Sequence, residues 1–149
     1  MTLKLAKRLQ ERQAGKISSN SLKKVFLARR VNSRLVESIL LNNTNEKVLG
    51  EVCDFLVERV AAKDKRALNV LLRTSDESLN KNVGSRWYAV DGLWRLAENG
   101  ELGVLPSLLK AGNDSNLSVW LHAVEGLKHF AKLGNLQAQK KLIQFKQKW

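Results

Sequence analysis

A stack of α-helical hairpins without β-sheet is the fold class this sequence predicts, and three observations carry it. Ala89-Val90-Asp91-Gly92-Leu93-Trp94-Arg95-Leu96-Ala97-Glu98-Asn99-Gly100-Glu101-Leu102 returns 34 residues later as Ala123-Val124-Glu125-Gly126-Leu127-Lys128-His129-Phe130-Ala131-Lys132-Leu133-Gly134-Asn135-Leu136, with seven of fourteen positions identical. A period of this size marks a solenoid, in which each unit buries its apolar face against its neighbours. Apolar residues recur at helical spacing, no run alternates strictly with period two, and the chain has one proline. Short and long helical segments also alternate along the chain.

The elements follow in order. Residues 2–13 read as a basic helix with Leu3, Leu5, Ala6 and Leu9 apolar and Gly15 as its C-cap. Residues 18–30 set Leu22, Val25, Phe26 and Leu27 against Lys23, Lys24, Arg29 and Arg30. Residues 33–41 form a short helix, broken by Asn42-Asn43-Thr44-Asn45, and Asn43 with Glu46 has capping-box spacing for the next one. Residues 46–62 carry Val48, Leu49, Val52, Phe55, Leu56 and Val60 nearly all round, as suits a helix between neighbours. Residues 65–73 are short, 83–99 long, 101–111 short and 118–133 long, with Gly100 and Gly134 at the boundaries. Residues 135–148 form the last helix.

The short helices recur as well. Leu68-Asn69-Val70-Leu71-Leu72-Arg73 aligns with Leu105-Pro106-Ser107-Leu108-Leu109-Lys110 at an offset of 37, which also places Asp54 on Asp91 and Leu56 on Leu93. A single domain over 1–149 is therefore expected. It comprises a basic N-terminal helical cap (1–32), repeats 33–62, 64–99 and 101–133, and a basic C-terminal helix (135–149).

Leu105-Pro106-Ser107-Leu108-Leu109, an Asn-Asp loop, Val119-Trp120 and Ala123-Val124-Glu125-Gly126-Leu127 together resemble a HEAT repeat. The resemblance covers roughly residues 33–148 and is clear over 64–136. It implies a right-handed α-α superhelix of about three hairpins. The chain departs from the family pattern at Trp120, where an Arg usually follows the turn's Val, and its 34-residue spacing is short for the family.

Composition bounds the function. At 149 residues and 44% hydrophobic, with a mean hydropathy of −0.29, the chain can bury a real core. Cys53 is the only cysteine, which excludes an intrachain disulfide and fits a reducing, cytoplasmic setting. No apolar stretch is long enough for a membrane span. Net charge is +12, concentrated at the ends: residues 1–35 hold ten Lys/Arg against Glu11 alone, and residues 128–149 hold six lysines and no acid. Such ends attract nucleic acid, anionic membrane or acidic proteins.

The copies separate scaffold from candidate site. Ala89, Val90, Leu93, Leu96 and Ala97 match apolar residues of the next copy and should be core. The remaining face of the long helix carries Trp87, Asp91, Trp94, Arg95 and Glu98. The equivalent face one unit on carries Leu121, Glu125, Lys128, His129 and Lys132, and one unit back it carries Gly50, Asp54, Val57, Glu58 and Ala61. A concave groove running from acidic through aromatic to basic is expected. Trp87 and Trp94 replace Leu121 and Lys128 of the sister copy, and exposed Trp beside Arg makes a protein-binding hot spot or equally a surface on which a nucleobase stacks. The alternative is that both rings fill space between units. Trp120, matching Arg86, is expected to pack against the neighbouring short helix.

A non-enzymatic module is thus expected: a monomeric adaptor or inhibitor gripping a protein of acidic and apolar surface through Trp87, Asp91, Trp94, Arg95, Glu125, Lys128, His129 and Lys132. Asp91 should pair with Arg95, and Glu125 with Lys128 or His129. His122 and His129 lie seven apart, not the four of helical metal pairs, and Cys53 reads as a small buried hydrophobe. With no nucleophile elbow, phosphate-cradling Gly loop or Cys-Cys pair, neither catalysis nor cofactor is expected. The alternative is nucleic-acid binding by Lys4, Lys7, Arg8, Arg12, Lys23, Lys24, Arg29, Arg30 and Arg34. A DNA glycosylase of HEAT-like form is a further alternative, weakened by the short chain and its mildly acidic middle.

Overall fold

The computed structural model describes residues 33–148, all of whose regular structure is helical. The helices are α1 (Ser33–Asn42), α2 (Glu46–Ala61), α3 (Lys65–Thr74), α4 (Val83–Glu98), α5 (Leu105–Ala111), α6 (Leu117–Lys132) and α7 (Leu136–Lys148). The helices expected over 2–13 and 18–30 lie outside the described residues, as do Lys4, Lys7, Arg8, Arg12, Lys23, Lys24, Arg29 and Arg30. Arg34 is described and exposed, on α1.

The expected short helix over 101–111 divides in two. A 3-10 turn, Leu102–Val104, precedes α5, and Pro106 sits in the first turn of α5. Proline has no N–H to donate and a φ already suited to helix, so it starts the α-helix there.

Each long helix ends with the same device. Gly100 and Gly134 have φ of +88° and +89°. Around them Glu101 N–H donates to Leu96 and Asn135 N–H to Phe130, the long backward bonds of a Schellman cap. At the end of α2 the same place is taken by Lys63, at φ +70°, with Asp64 N–H donating to Arg59.

Each long helix also begins alike, by a motif the sequence repeats at offsets of 37 and 34: Asn43-Thr44-Asn45, Asn80-Lys81-Asn82 and Asp114-Ser115-Asn116. The first residue is buried and its side-chain oxygen accepts the N–H two residues on, at 2.8, 3.0 and 2.9 Å. The third is the N-cap and accepts from the helix's first amides. Asn45 therefore caps α2, not Asn43 as the capping-box spacing suggested. Asn43 is spent on holding the turn.

Packing runs sequentially: α2 against α4, α4 against α6, and each short helix against the long helix that follows it. Ala89, Val90, Leu93, Leu96 and Ala97 are all buried, as the repeat predicts. Gly92 and Gly126, identical between copies, both sit at close helix contacts, Gly126 against the short α5 and Gly92 against the long α2. A Cβ on Gly126 would lie 2.8 Å from Leu108 Cδ1, and one on Gly92 2.9 Å from Val57 Cγ2 and 3.8 Å from Leu71 Cδ2. Leu71 and Leu108 are repeat equivalents, but the glycine is needed for the leucine only at Gly126; at Gly92 it makes room for Val57.

Polar stitches join successive loops. Asn82 Nδ2 donates to the carbonyls of Leu40 and Asn43, at 3.1 and 2.8 Å, and the Ser85 hydroxyl also donates to Leu40 O. One unit on, Arg86 is buried and grips Asp114 with both faces of its fork, at 2.9 and 3.0 Å, while donating to Asn80 O at 3.1 Å. At the position of Arg86 in the next copy stands Trp120. Its ring packs edge-to-face on Phe145 of α7, with centroids 5.1 Å apart. A flat ring replaces the guanidinium there because its neighbour is an aromatic side chain and not a buried carboxylate.

Candidate binding face

The helical period of α4 sends Trp87, Asp91, Trp94 and Arg95 to one side, and the structure brings all four together. Trp87 and Trp94 are both half-buried. Between them lies His122 of α6, its ring centroid 4.5 Å from Trp87 and 5.8 Å from Trp94. Trp87 also meets Tyr88 edge-on, at 4.7 Å, and packs against the core. Both readings of Trp87 thus apply in part: one edge fills space between units and the remainder is open.

A chain of charges backs the rings. Arg95 donates to Asp54 of α2 at 2.7 Å, and its Nε lies 3.3 Å from Asp91 Oδ2. Asp91 Oδ1 in turn lies 3.8 Å from His122 Nε2, whose Nδ1 sits 3.1 Å from the Ser118 carbonyl. The line Asp54–Arg95–Asp91–His122 therefore crosses three helices and orients the ring held between the two tryptophans. The two carboxylates flanking Arg95 favour one rotamer of its side chain, and the two tryptophan rings hold His122 between them.

The α6 portion of the expected site stands apart in its pairing. Glu125 pairs with Lys128 at 3.0 Å, as the i,i+3 spacing anticipates. His129 is half-buried with its ring edge towards Phe130, and Lys132 is exposed. On α2, Asp54, Glu58 and Ala61 are exposed as expected, but Gly50 and Val57 are partly covered by α4. Tyr88 lies over Gly50, where a Cβ would come within 3.1 Å, and Gly92 admits Val57. The acidic part of the face is therefore Asp54 and Glu58.

His122 is the residue that sequence reasoning passed over. As one of two histidines it was weighed for metal spacing alone, yet its register on α6 is one position past Leu121, the repeat equivalent of Trp87. Only the approach of α6 to α4 brings it between the two rings. Among the described residues no group of three His, Cys, Asp or Glu is placed to hold a metal ion.

Two further features lie elsewhere. A cleft of about 460 Å³ is lined by Gly112, Asp114, Trp120, Lys141 and Phe145, but its charged groups are already engaged. Lys141 Nζ donates to Asn113 at 2.6 Å, and Asp114 is held by Arg86. Cys53 is fully buried, and burial, together with the charge of Asp54, pushes its thiol pKa far up, so it packs as a hydrophobe. Among the described residues no helix is long and apolar enough to cross a membrane.

No protein-family model, curated protein or solved structure matches this chain.

Proposed function

We propose that this chain is a small HEAT-like α-solenoid that works by stoichiometric binding and not by catalysis. It grips a protein partner of apolar and acidic surface on the face of its long helices. The observation that carries this reading is the pair of half-exposed tryptophans braced by His122 and by the Asp54–Arg95–Asp91 line. Large rings held in place lose little conformational entropy on binding, which is why Trp and Arg dominate interface energetics. The basic ends would steer approach.

The test is affinity capture with the parent chain and with Trp94→Ala, bound proteins being identified by mass spectrometry, alongside titration of a 20-base-pair duplex at two salt concentrations. A partner retained by the parent and lost on Trp94→Ala, typically a loss of ~2 kcal/mol or more for a hot spot, supports the reading. Undiminished capture by Trp94→Ala sinks it. Duplex affinity that falls steeply with salt, with no Trp94 dependence, would instead favour the basic residues and nucleic acid.

A further inference from the structure

We infer that the partner segment seated on this face is extended and charge-polarised. A Lys or Arg lies over α2, an apolar or aromatic side chain lies on the two tryptophans, and an Asp or Glu lies over α6. This rests on the long-helix face being the binding surface, and it adds the chemistry of the occupant.

The argument is charge complementarity in repeat register. Positions equivalent in the three copies lie side by side across α2, α4 and α6, because these helices pack consecutively. One row reads Asp54, Asp91, Glu125; the next reads Glu58, Arg95, His129; the row carrying Trp94 ends in Lys128; and the row carrying Glu98 ends in Lys132. Within the face Lys128 offsets Glu125, while Arg95 is shared by Asp54 and Asp91 and the exposed Glu98 adds a further carboxylate on α4. What is left over differs at the two edges. At α2 the side chain of Asp54 is 60% exposed beside the exposed carboxylate of Glu58, giving two acids against the one shared guanidinium. At α6 the exposed Lys132 adds to Lys128, giving two ammoniums against one carboxylate. The centre presents Trp87, Trp94 and the 48% exposed Leu121.

A cation entering from the α2 side meets both carboxylates, and a planar guanidinium can pair with them bidentately, which favours Arg. An acid there would face Asp54 and Glu58, and like charges set against each other across an interface suppress the wrong partner. Neighbouring helix axes lie ~8–10 Å apart, so α2 to α6 is about 20 Å. An extended chain advances ~3.3 Å per residue, so the basic and acidic side chains should be about six residues apart in the bound segment.

The probe is a random 12-residue peptide library displayed on phage, panned against the intact protein, against Trp94→Ala, and against Asp54→Lys/Glu58→Lys. The expected result is enrichment of peptides with Lys or Arg on one flank, apolar residues between, and Asp or Glu about six positions away. Binding of an enriched synthetic peptide should weaken roughly tenfold or more on Asp54→Lys/Glu58→Lys, which should itself enrich peptides acidic at both flanks. Enriched peptides that need Trp94 but carry acids on both flanks, or no charge order, overturn the polarity and leave the face intact. Peptides whose binding ignores Trp94→Ala overturn both. Enrichment of nothing above background also overturns the inference. Circular dichroism of each variant, expected to match the parent, separates lost binding from lost fold.

Discussion

Removing the Arg86 guanidinium should be among the most damaging single changes in the described chain. Arg86 and Asp114 are 3% and 1% exposed as side chains and meet in a bidentate pair at 2.9 and 3.0 Å. In Arg86→Met the Asp114 carboxylate stays buried with the Asn116 amide, at 2.9 Å, as its remaining donor, and the Asn80 carbonyl loses its guanidinium partner. In Asp114→Leu the stranded group is the guanidinium, left with Asn80 O at 3.1 Å and Glu77 at 3.9 Å. An unpaired buried charge costs about 3–5 kcal/mol, and a domain commonly has about 5–15 kcal/mol in all. Each single variant should therefore lose about 3–5 kcal/mol and roughly 10 °C or more in Tm. Arg86→Met/Asp114→Leu leaves no buried charge and should be no worse than about 1–2 kcal/mol below the parent, a residue owed to Asn80 O and the Asn116 amide. Urea and thermal unfolding followed by circular dichroism at 222 nm measure all four proteins. Singles costing under 1 kcal/mol, or a double variant equal to the sum of its parts, would refute the reasoning, since it requires strong coupling between contacting residues.

The same geometry makes four further predictions. Lys63→Gly should stabilise by about 0.5–1 kcal/mol in a urea titration, because Lys63 at φ +70° occupies the left-handed position that Gly100 and Gly134 take in the other two copies. Gly126→Ala should destabilise by about 1–3 kcal/mol, since its Cβ would meet Leu108 at 2.8 Å, and the same substitution should cost less when made in a Leu108→Ala background, where that contact is gone. Asp64 and Asp76 are pushed up by burial but held below their ordinary 3.8 by larger combined opposition: the Ala67 and Arg66 amides and Arg59 for the first, Lys110 and Ser78 for the second. Ser115, through hydroxyl and amide, holds Glu77 below 4.5. Lowered folded values mean stability that is fully present above about pH 5 and lost as pH falls through those values, so a pH series of melts should decline on the acid side; Asp76→Asn and Lys110→Met should each flatten that decline. Cys53 should resist iodoacetamide at pH 8 in the folded protein and react at once in urea, and modification at the free-thiol rate under native conditions would contradict its burial.

Much of the fold was legible because repeats state their scaffold twice. The expected bounds of α1–α4, α6 and α7 agree with the structure to within a residue or so, since apolar spacing, Gly100 and Gly134 are local signals. Pro106 was equally visible, but its effect of splitting a 3-10 turn from α5 depends on how the loop closes. The Asn43, Asn80 and Asp114 turn motif was also present in the sequence, at the same offsets as the helices. It went unread because capping-box spacing offered a nearer explanation for Asn43.

The candidate face divides along the same line. Trp87, Asp91, Trp94 and Arg95 follow from the 3.6-residue period of one helix, and the ion pair of Asp91 with Arg95 needs nothing beyond it. The Asp54–Arg95 contact spans 41 positions, and the seat of His122 between the rings depends on the packing of α6 against α4. The sequence by itself determined which helices form, where they stop and which stripe of each is apolar, because those properties depend on neighbours three and four residues away. Tertiary structure alone decided that Val57 and Gly50 are partly covered, that Trp120 meets Phe145 edge-to-face, and that His122 completes the aromatic cluster. Those outcomes turn on a few ångströms of approach between separate helices, and a glycine on one sets that approach only together with the leucine, valine or tyrosine it meets on the other.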